Sequence, residues 1–235
     1  MPRCARHTPP GSIQHVISRF IDRKWRISDE TDRSTYLSLV GPASETTDWQ
    51  FIAFALMSSH VHWAMLAGEQ ALGDLYHRIH TQYGMRWRRR HDSVGPIFSG
   101  RPKSFQINPN SLLSLVSYIH MNPVRSGVVS SPSESKWTSH VFYMRRKRAP
   151  GWLNIEQLLD VMGFNDTAAG RKQFEEAVIA VSHDPDKHST QDTLFHSRDS
   201  STDTLSLLRN DRKYLETHES MPTLKMISLQ IYTRF

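Results

Sequence analysis

Trp49-Gln50-Phe51-Ile52-Ala53-Phe54-Ala55-Leu56-Met57-Ser58-Ser59-His60-Val61-His62-Trp63-Ala64-Met65-Leu66 decides the fold. It reads as two β-strands, residues 49–57 and 60–66, joined by Ser58-Ser59, and so short a connection implies an antiparallel pair. In His60-Val61-His62 one apolar residue separates two imidazoles. The period-2 alternation of a strand puts both rings on one face, close enough to share a cation, and turns Val61 into the core.

Working outward, residues 13–20 are β-like, and residues 29–40 form a helix opened by Ser28 or Asp29 and closed near Gly41-Pro42. A long helix runs from about residue 70 to 91. It carries Leu72, Leu75, Tyr76, Ile79 and Tyr83 at helical spacing, with Arg78, Gln82, Arg86 and Arg89 on its other face. Residues 104–107 make a short fourth strand, and Asn110 or Ser111 caps a helix that runs to about Asn122, where Pro123 stops it. This β-α-β-β-α-β order predicts an α+β fold, a ferredoxin-like antiparallel sheet with helices on one face. A helical C-terminal extension follows, with helices over residues 136–144, 154–161 and 166–181. Beyond it the chain is rich in Ser, Thr, Asp and His, so residues 182–235 are expected to be disordered or loosely ordered.

Fifty-six residues after His62 comes Tyr118-Ile119-His120-Met121-Asn122-Pro123-Val124-Arg125. On the predicted helix Leu112, Val116 and Ile119 form the buried stripe. Tyr118 and Asn122, four apart, fall beside it at the border of core and solvent. Tyr118 is a candidate nucleophile. Asn122 is either an oxygen ligand beside His60 and His62 or the cap of the helix C-terminus. His120 sits on the opposite flank and is not assigned to the site.

Composition is consistent with one principal domain. The 235 residues are 38% hydrophobic with a net charge of +6. The last 54 residues hold 7 Lys and Arg against 8 Asp and Glu, and the remaining 22 and 15 leave the first 181 residues at about +7. Such an excess favours a polyanionic partner. The single cysteine, Cys4, excludes an internal disulfide and a Cys-based zinc site. No apolar run approaches the ~20 residues of a membrane span, so a cytoplasmic protein without membrane contact is expected.

With these residues in view, the chain resembles the REP-associated tyrosine transposases, IS200-like members of the HUH endonuclease superfamily. The resemblance covers roughly residues 8–180. It runs through Gly11-Ser12-Ile13-Gln14-His15-Val16-Ile17-Ser18-Arg19, the His60-Val61-His62 strand, Arg88-Arg89-Arg90-His91 with Gly95-Pro96-Ile97-Phe98-Ser99-Gly100-Arg101, residues 118–128, and Lys136-Trp137-Thr138-Ser139-His140. It implies an HUH catalytic domain over residues 8–130, a helical basic extension over residues 131–181, and cleavage of single-stranded DNA with hairpin, palindromic ends. The chain departs from the family at Phe20-Ile21-Asp22-Arg23, where a Gly-Asn turn is usual, at Ser58-Ser59, and at Arg101-Pro102-Lys103.

The residues support the same chemistry. A phosphodiester repels a nucleophile, so a hard cation must neutralise a non-bridging oxygen. His60, His62 and Asn122 suit Mg²⁺ or Mn²⁺ with open positions better than a closed zinc site. Tyr118 would displace a 3′-oxygen and leave a 5′-phosphotyrosine, which a second 3′-hydroxyl can resolve without ATP. Arg86-Trp87-Arg88-Arg89-Arg90 mixes cations with an aromatic suited to phosphates and an unpaired base. Arg145, Arg146, Lys147 and Arg148 form a second patch, and Arg101, Lys103 and Arg125 are further candidates for the scissile strand. These runs read equally well as solvated faces. The alternatives to an active enzyme are a catalytically silent, domesticated DNA-binding protein of the same fold and a replication initiator or relaxase. The shortness of the chain argues against the last. A monomer is favoured over a dimer.

Overall fold

In the computed structural model, residues 8–145 and 147–182 are described; Arg146, Cys4 and the predicted tail over residues 183–235 lie outside them. Strands β1 (Ile13–Arg19), β2 (Gln50–Leu56) and β3 (His60–Leu66) are buried on both faces along nearly their whole length, polar residues such as Gln14, His15, Ser18 and His62 included, whereas β4 (Lys103–Ile107) is largely open to solvent. They form one sheet in the order β2-β3-β1-β4 with every neighbouring pair antiparallel. The polar β4 takes one edge and the apolar β2 the other, with β3 and β1 between them. The order matches the predicted ferredoxin-like topology.

The helices are α1 (Glu30–Ser38), α2 (Val40–Ser44), α3 (Leu72–Arg90), α4 (Leu112–His120), α5 (Asn122–Arg125), α6 (His140–Tyr143), α7 (Ile155–Val161) and α8 (Ala168–Ser182). Asp29 caps α1 as expected, its carboxylate accepting from the Asp32 N–H at 2.9 Å. Ser111 stands at the N-cap of α4, as expected, but its side chain makes no capping bond there; Asn108 caps the short 3₁₀ turn, Pro109–Ser111, that precedes the helix. Nor does Pro123 end the helical path. It lies in the first turn of α5, where its missing N–H leaves no bond unmade.

The two crossover helices lie on one face of the sheet, as expected, and α4 adds a layer on the other. The α3 helix meets the face that carries Ser18 and Met65, through His80 to the Ser18 hydroxyl (3.1 Å) and the Tyr76 hydroxyl to the Met65 sulfur (3.6 Å). The other crossover helix, α1, joins α3 there, Tyr36 packing edge-on against Tyr83. Tyr118 of α4 instead meets His15 and His62, which alternation puts on the opposite face. A central strand that buries both faces needs a second layer. On that side Ala53 and Ala55 of β2 stand opposite Ala64 and His62, small residues that let a helix approach.

The extension shares this core. Residues 137–139 close the free edge of β2, with Leu56 N–H donating to the Trp137 carbonyl and Ser139 N–H to the Phe54 carbonyl, both at 2.9 Å. The α8 helix packs on α4, where the Ser117 hydroxyl donates to the Val178 carbonyl at 2.5 Å. His120, on the flank away from Tyr118, is buried against the Ser139 hydroxyl (2.7 Å), His140, Tyr143 and Phe174.

Several of these histidines are held neutral. Burial lowers His80 to about 3, and burial together with the neighbouring His140 holds His120 well below its ordinary value. In the unfolded chain both take a proton near pH ~6.5, so acid favours unfolding. The contribution of these histidines to stability is expected to be flat above neutrality and to fall from about pH 6.5 towards about pH 3, by at most ~1.4 kcal/mol per pH unit for each, with the melting temperature falling alongside. Thermal melts across that range test this, and a curve that does not fall below neutrality would contradict it.

Candidate active site

The β1–β3 register builds the site. Arg19 stands opposite His60, Ile17 opposite His62 and His15 opposite Ala64. The His60 and His62 rings meet edge-on with centroids 4.6 Å apart. The second nitrogen of each is already engaged. His15 Nε2 lies 2.9 Å from His62 Nδ1, and the Ser59 hydroxyl lies 3.0 Å from His60 Nδ1. In both rings Nε2 is left for a further bond, the arrangement in which a second hydrogen bond orients an imidazole ligand.

Burial also keeps these rings neutral. It lowers His60 to about 4, helped by the charge of Arg19, and holds His62 well below its ordinary value, helped by His15, His60 and Arg19. His15 falls to about 3, by burial and then by His60. Neutral imidazoles have the lone pair that a metal ion requires.

Tyr118 comes from the helix layer above. Its half-buried ring stands edge-on to His62 at 5.6 Å and to His15 at 5.7 Å. Asn122, one turn on, donates from Nδ2 to the Tyr118 carbonyl at 2.8 Å. Since a carbonyl only accepts, this bond fixes which end of the amide is nitrogen and leaves Oδ1 as the acceptor. Arg125 in α5 places its guanidinium 4.8 Å from the Tyr118 ring centre. The two segments read from the sequence thus converge on one face.

Among the described residues no three His, Cys, Asp or Glu side chains form a ready cluster for a metal ion. The His60 and His62 imidazoles are two neutral donors on one face, and Asn122, one turn beyond Tyr118, is the oxygen donor expected from the sequence. A cavity of ≈ 710 Å³ lined by Asp48, Trp49, Leu66 and Trp152 lies at the other end of β2 and β3 and includes none of these residues.

The predicted cations divide into two groups. Lys103 is in register with Ile17 and so shares the row of His62, two strands away, roughly 10 Å. Lys103, Arg101, Arg86, Arg89, Lys147 and Arg148 are exposed. Arg90 is not a free cation: it reaches Asp29 at 2.6 Å and Asp32 at 2.5 Å and clamps α3 to α1. Burial alone would raise the Asp32 carboxyl, but hydrogen bonds from His91, Ser28 and Arg90 outweigh it and keep the group ionised. Arg145 is paired with Asp166 at 2.7 Å. Trp87 is only 6% exposed, covered by the Arg26 guanidinium at 4.5 Å and stacked on His91 at 4.4 Å, so it offers no face to a base.

Sequence reasoning left out His15, Arg19 and Ser59 as site residues. The alternation His15-Val16-Ile17-Ser18-Arg19 carried the signal, but only pairing with β3 shows which strand it faces.

No protein-family model and no curated protein matches the chain. Among solved structures it is similar to a REP-associated tyrosine transposase bound to a REP hairpin, with TM-score 0.52 and 18% identity over 66% of this chain and 90% of that one. A weaker likeness, TM-score 0.36 and 13% identity, covers 50% of this chain and 95% of a candidate transposase of Deinococcus radiodurans R1. The chain has the α+β fold of the first of these, a four-stranded antiparallel sheet with its helices.

Proposed function

We propose that the protein is a metal-dependent nuclease and strand transferase that cleaves single-stranded, hairpin-associated DNA through Tyr118. The observation that carries this reading is the meeting of Tyr118 with His62 across the sheet surface, from segments far apart in sequence. The fold shared with a transposase that holds a REP hairpin supports it.

His60 and His62, each through Nε2, and Asn122 through Oδ1 are the groups to hold Mg²⁺ or Mn²⁺. When bound, the cation would neutralise a non-bridging oxygen of the scissile phosphate and orient the phosphorus. Tyr118, as phenolate, forms the new P–O bond while the P–O3′ bond breaks and the departing 3′-oxygen takes a proton. Arg125 lies where it offsets the phenolate charge. Arg19, opposite His60, and Lys103, in the row of His62, are placed for the flanking phosphates. A new 3′-hydroxyl attacking the phosphotyrosine reverses the step and joins strands.

Incubated with Mn²⁺ and a labelled hairpin carrying a single-stranded extension, the protein is expected to form a denaturation-resistant adduct that Tyr118→Phe abolishes. Salt-sensitive binding without any adduct would instead mark a silent DNA-binding protein. His15→Ala frees the His62 ring and should weaken Mn²⁺ binding about 10- to 100-fold in titration calorimetry, with no DNA present. Unchanged affinity would remove His15 from the site. Arg89→Ala should reduce the dependence of log affinity on log salt by about 0.7 and leave the melting temperature alone. Arg90→Ala should do the reverse, lowering the melting temperature and sparing the salt dependence.

A further inference from the structure

Trp25 is 73% exposed in the sequence Asp22-Arg23-Lys24-Trp25-Arg26, where every neighbour is charged. The loop around it is held firmly. Ile21 N–H donates to the Ile97 carbonyl at 2.9 Å and Lys24 N–H to the Ile21 carbonyl at 3.1 Å. After Trp25, the N–H groups of Arg26 and Ile27 both donate to the Ser58 carbonyl, at 3.0 and 3.3 Å, and the Arg26 carbonyl accepts from the Tyr83 hydroxyl at 2.6 Å. Asp22 and Arg23, both at φ 54°, take the left-handed conformation that turns the chain back on itself. The backbone on either side of Trp25 is fixed while its indole stands in water.

The loop also stands next to the proposed site. Ser58, which accepts from Arg26, is two residues before His60, so the Trp25 backbone lies within roughly 20 Å of His60. The side chain that the sequence marked for base stacking, Trp87, is buried beneath Arg26 of this same loop. Trp87, the aromatic expected to stack, is packed inside, while Trp25, given no role from the sequence, is presented.

We propose that Trp25 is a stacking platform for an unpaired base of the DNA strand that leads into the site, with Arg23 and Lys24 on the adjoining phosphates. The inference rests on the single-stranded DNA reading above. One indole beside exposed Arg23 and Lys24, the latter only loosely paired with Asp22 at 3.9 Å in solvent, is too small and too polar in its surroundings for a protein interface, but it matches a nucleotide, which offers one flat π-face and one negative charge. A paired base keeps its face inside the duplex, so the platform selects unpaired DNA. Every base has such a face, so it does so without regard to sequence.

The test compares a hairpin carrying a single-stranded extension with the same hairpin lacking it, by fluorescence anisotropy on the full chain at fixed salt. Trp25→Ala is expected to weaken binding of the extended hairpin by about 5- to 100-fold, to leave the blunt hairpin unchanged, and to leave the melting temperature unchanged. Trp25→Phe, which retains a ring, should keep most of the affinity. Neutralising Arg23 and Lys24 together as glutamines should lower the salt dependence on the extended hairpin by about 1.4. If Trp25→Ala binds the extended hairpin as tightly as the unaltered chain, the platform is wrong and the DNA reading stands. An equal loss on both hairpins would also overturn the platform. Should the unaltered chain bind neither hairpin, the DNA reading falls and the platform with it.

Discussion

The antiparallel pairing of β1 with β3 is the constraint on which the rest of the structure depends. It sets Ile17 opposite His62 and Arg19 opposite His60, and so brings His15 within 2.9 Å of the His62 ring. A slip of one residue would turn His15 and Arg19 to the other face and put Val16 and Ser18 beside the histidines. Because both faces of β3 are buried, the register is over-determined. Val61, Trp63 and Met65 fill one layer while His62, Ala64 and Leu66 fill the other. A polar pair can sit in so apolar a strand only if its nitrogens find partners, and His15 and Ser59 supply them.

Burial then sets the electrostatics. Desolvation keeps the imidazoles neutral, and Arg19 beside His60 adds to the effect. One environment thus leaves the imidazoles with free lone pairs and holds a positive charge, that of Arg19, beside them. Elsewhere the abundant arginines are sorted by whether a carboxylate is within reach. Arg90 and Arg145 meet Asp29, Asp32 and Asp166 and become struts of the fold, while Arg86 and Arg89, one turn apart on the outer side of α3, stay in solvent. Net charge alone could not make that division.

Much of this could be read in advance, for a physical reason. The His60–Leu66 strand has an unbroken apolar run with a clear start, and its bounds are those expected from sequence. The long α3 helix shows the expected stripe of Leu72, Leu75, Tyr76, Ile79 and Tyr83, all buried. What escaped depends on partners remote in sequence. The second helical layer follows from α4 crossing beneath the sheet, and alternation within a strand cannot say which face a later helix will choose. Trp87 looks like a DNA-facing aromatic until Arg26, sixty-one residues earlier, closes over it. His15 reads as one of several polar residues in β1 until the register places it against His62.

The helix that presents Tyr118 is gripped from two sides. Tyr118 and His120 are two residues apart, about 200° around the axis, so they face opposite walls. On one wall Tyr118 rests against His62 and His15. On the other, His120 enters a buried chain in which its Nε2 meets the Ser139 hydroxyl at 2.7 Å and its Nδ1 meets His140 at 3.2 Å, with His140 in turn 3.5 Å from Glu175 of α8. Rotating α4 to move the tyrosine would break both sets of contacts and the Ser117 bond to α8. Such a grip would suit the nucleophilic role proposed for Tyr118, which depends on placement to a fraction of an ångström. It also makes α8 part of what holds Tyr118 in place, while the loop that carries Trp25 stands apart from this grip, at the His60 end of the sheet.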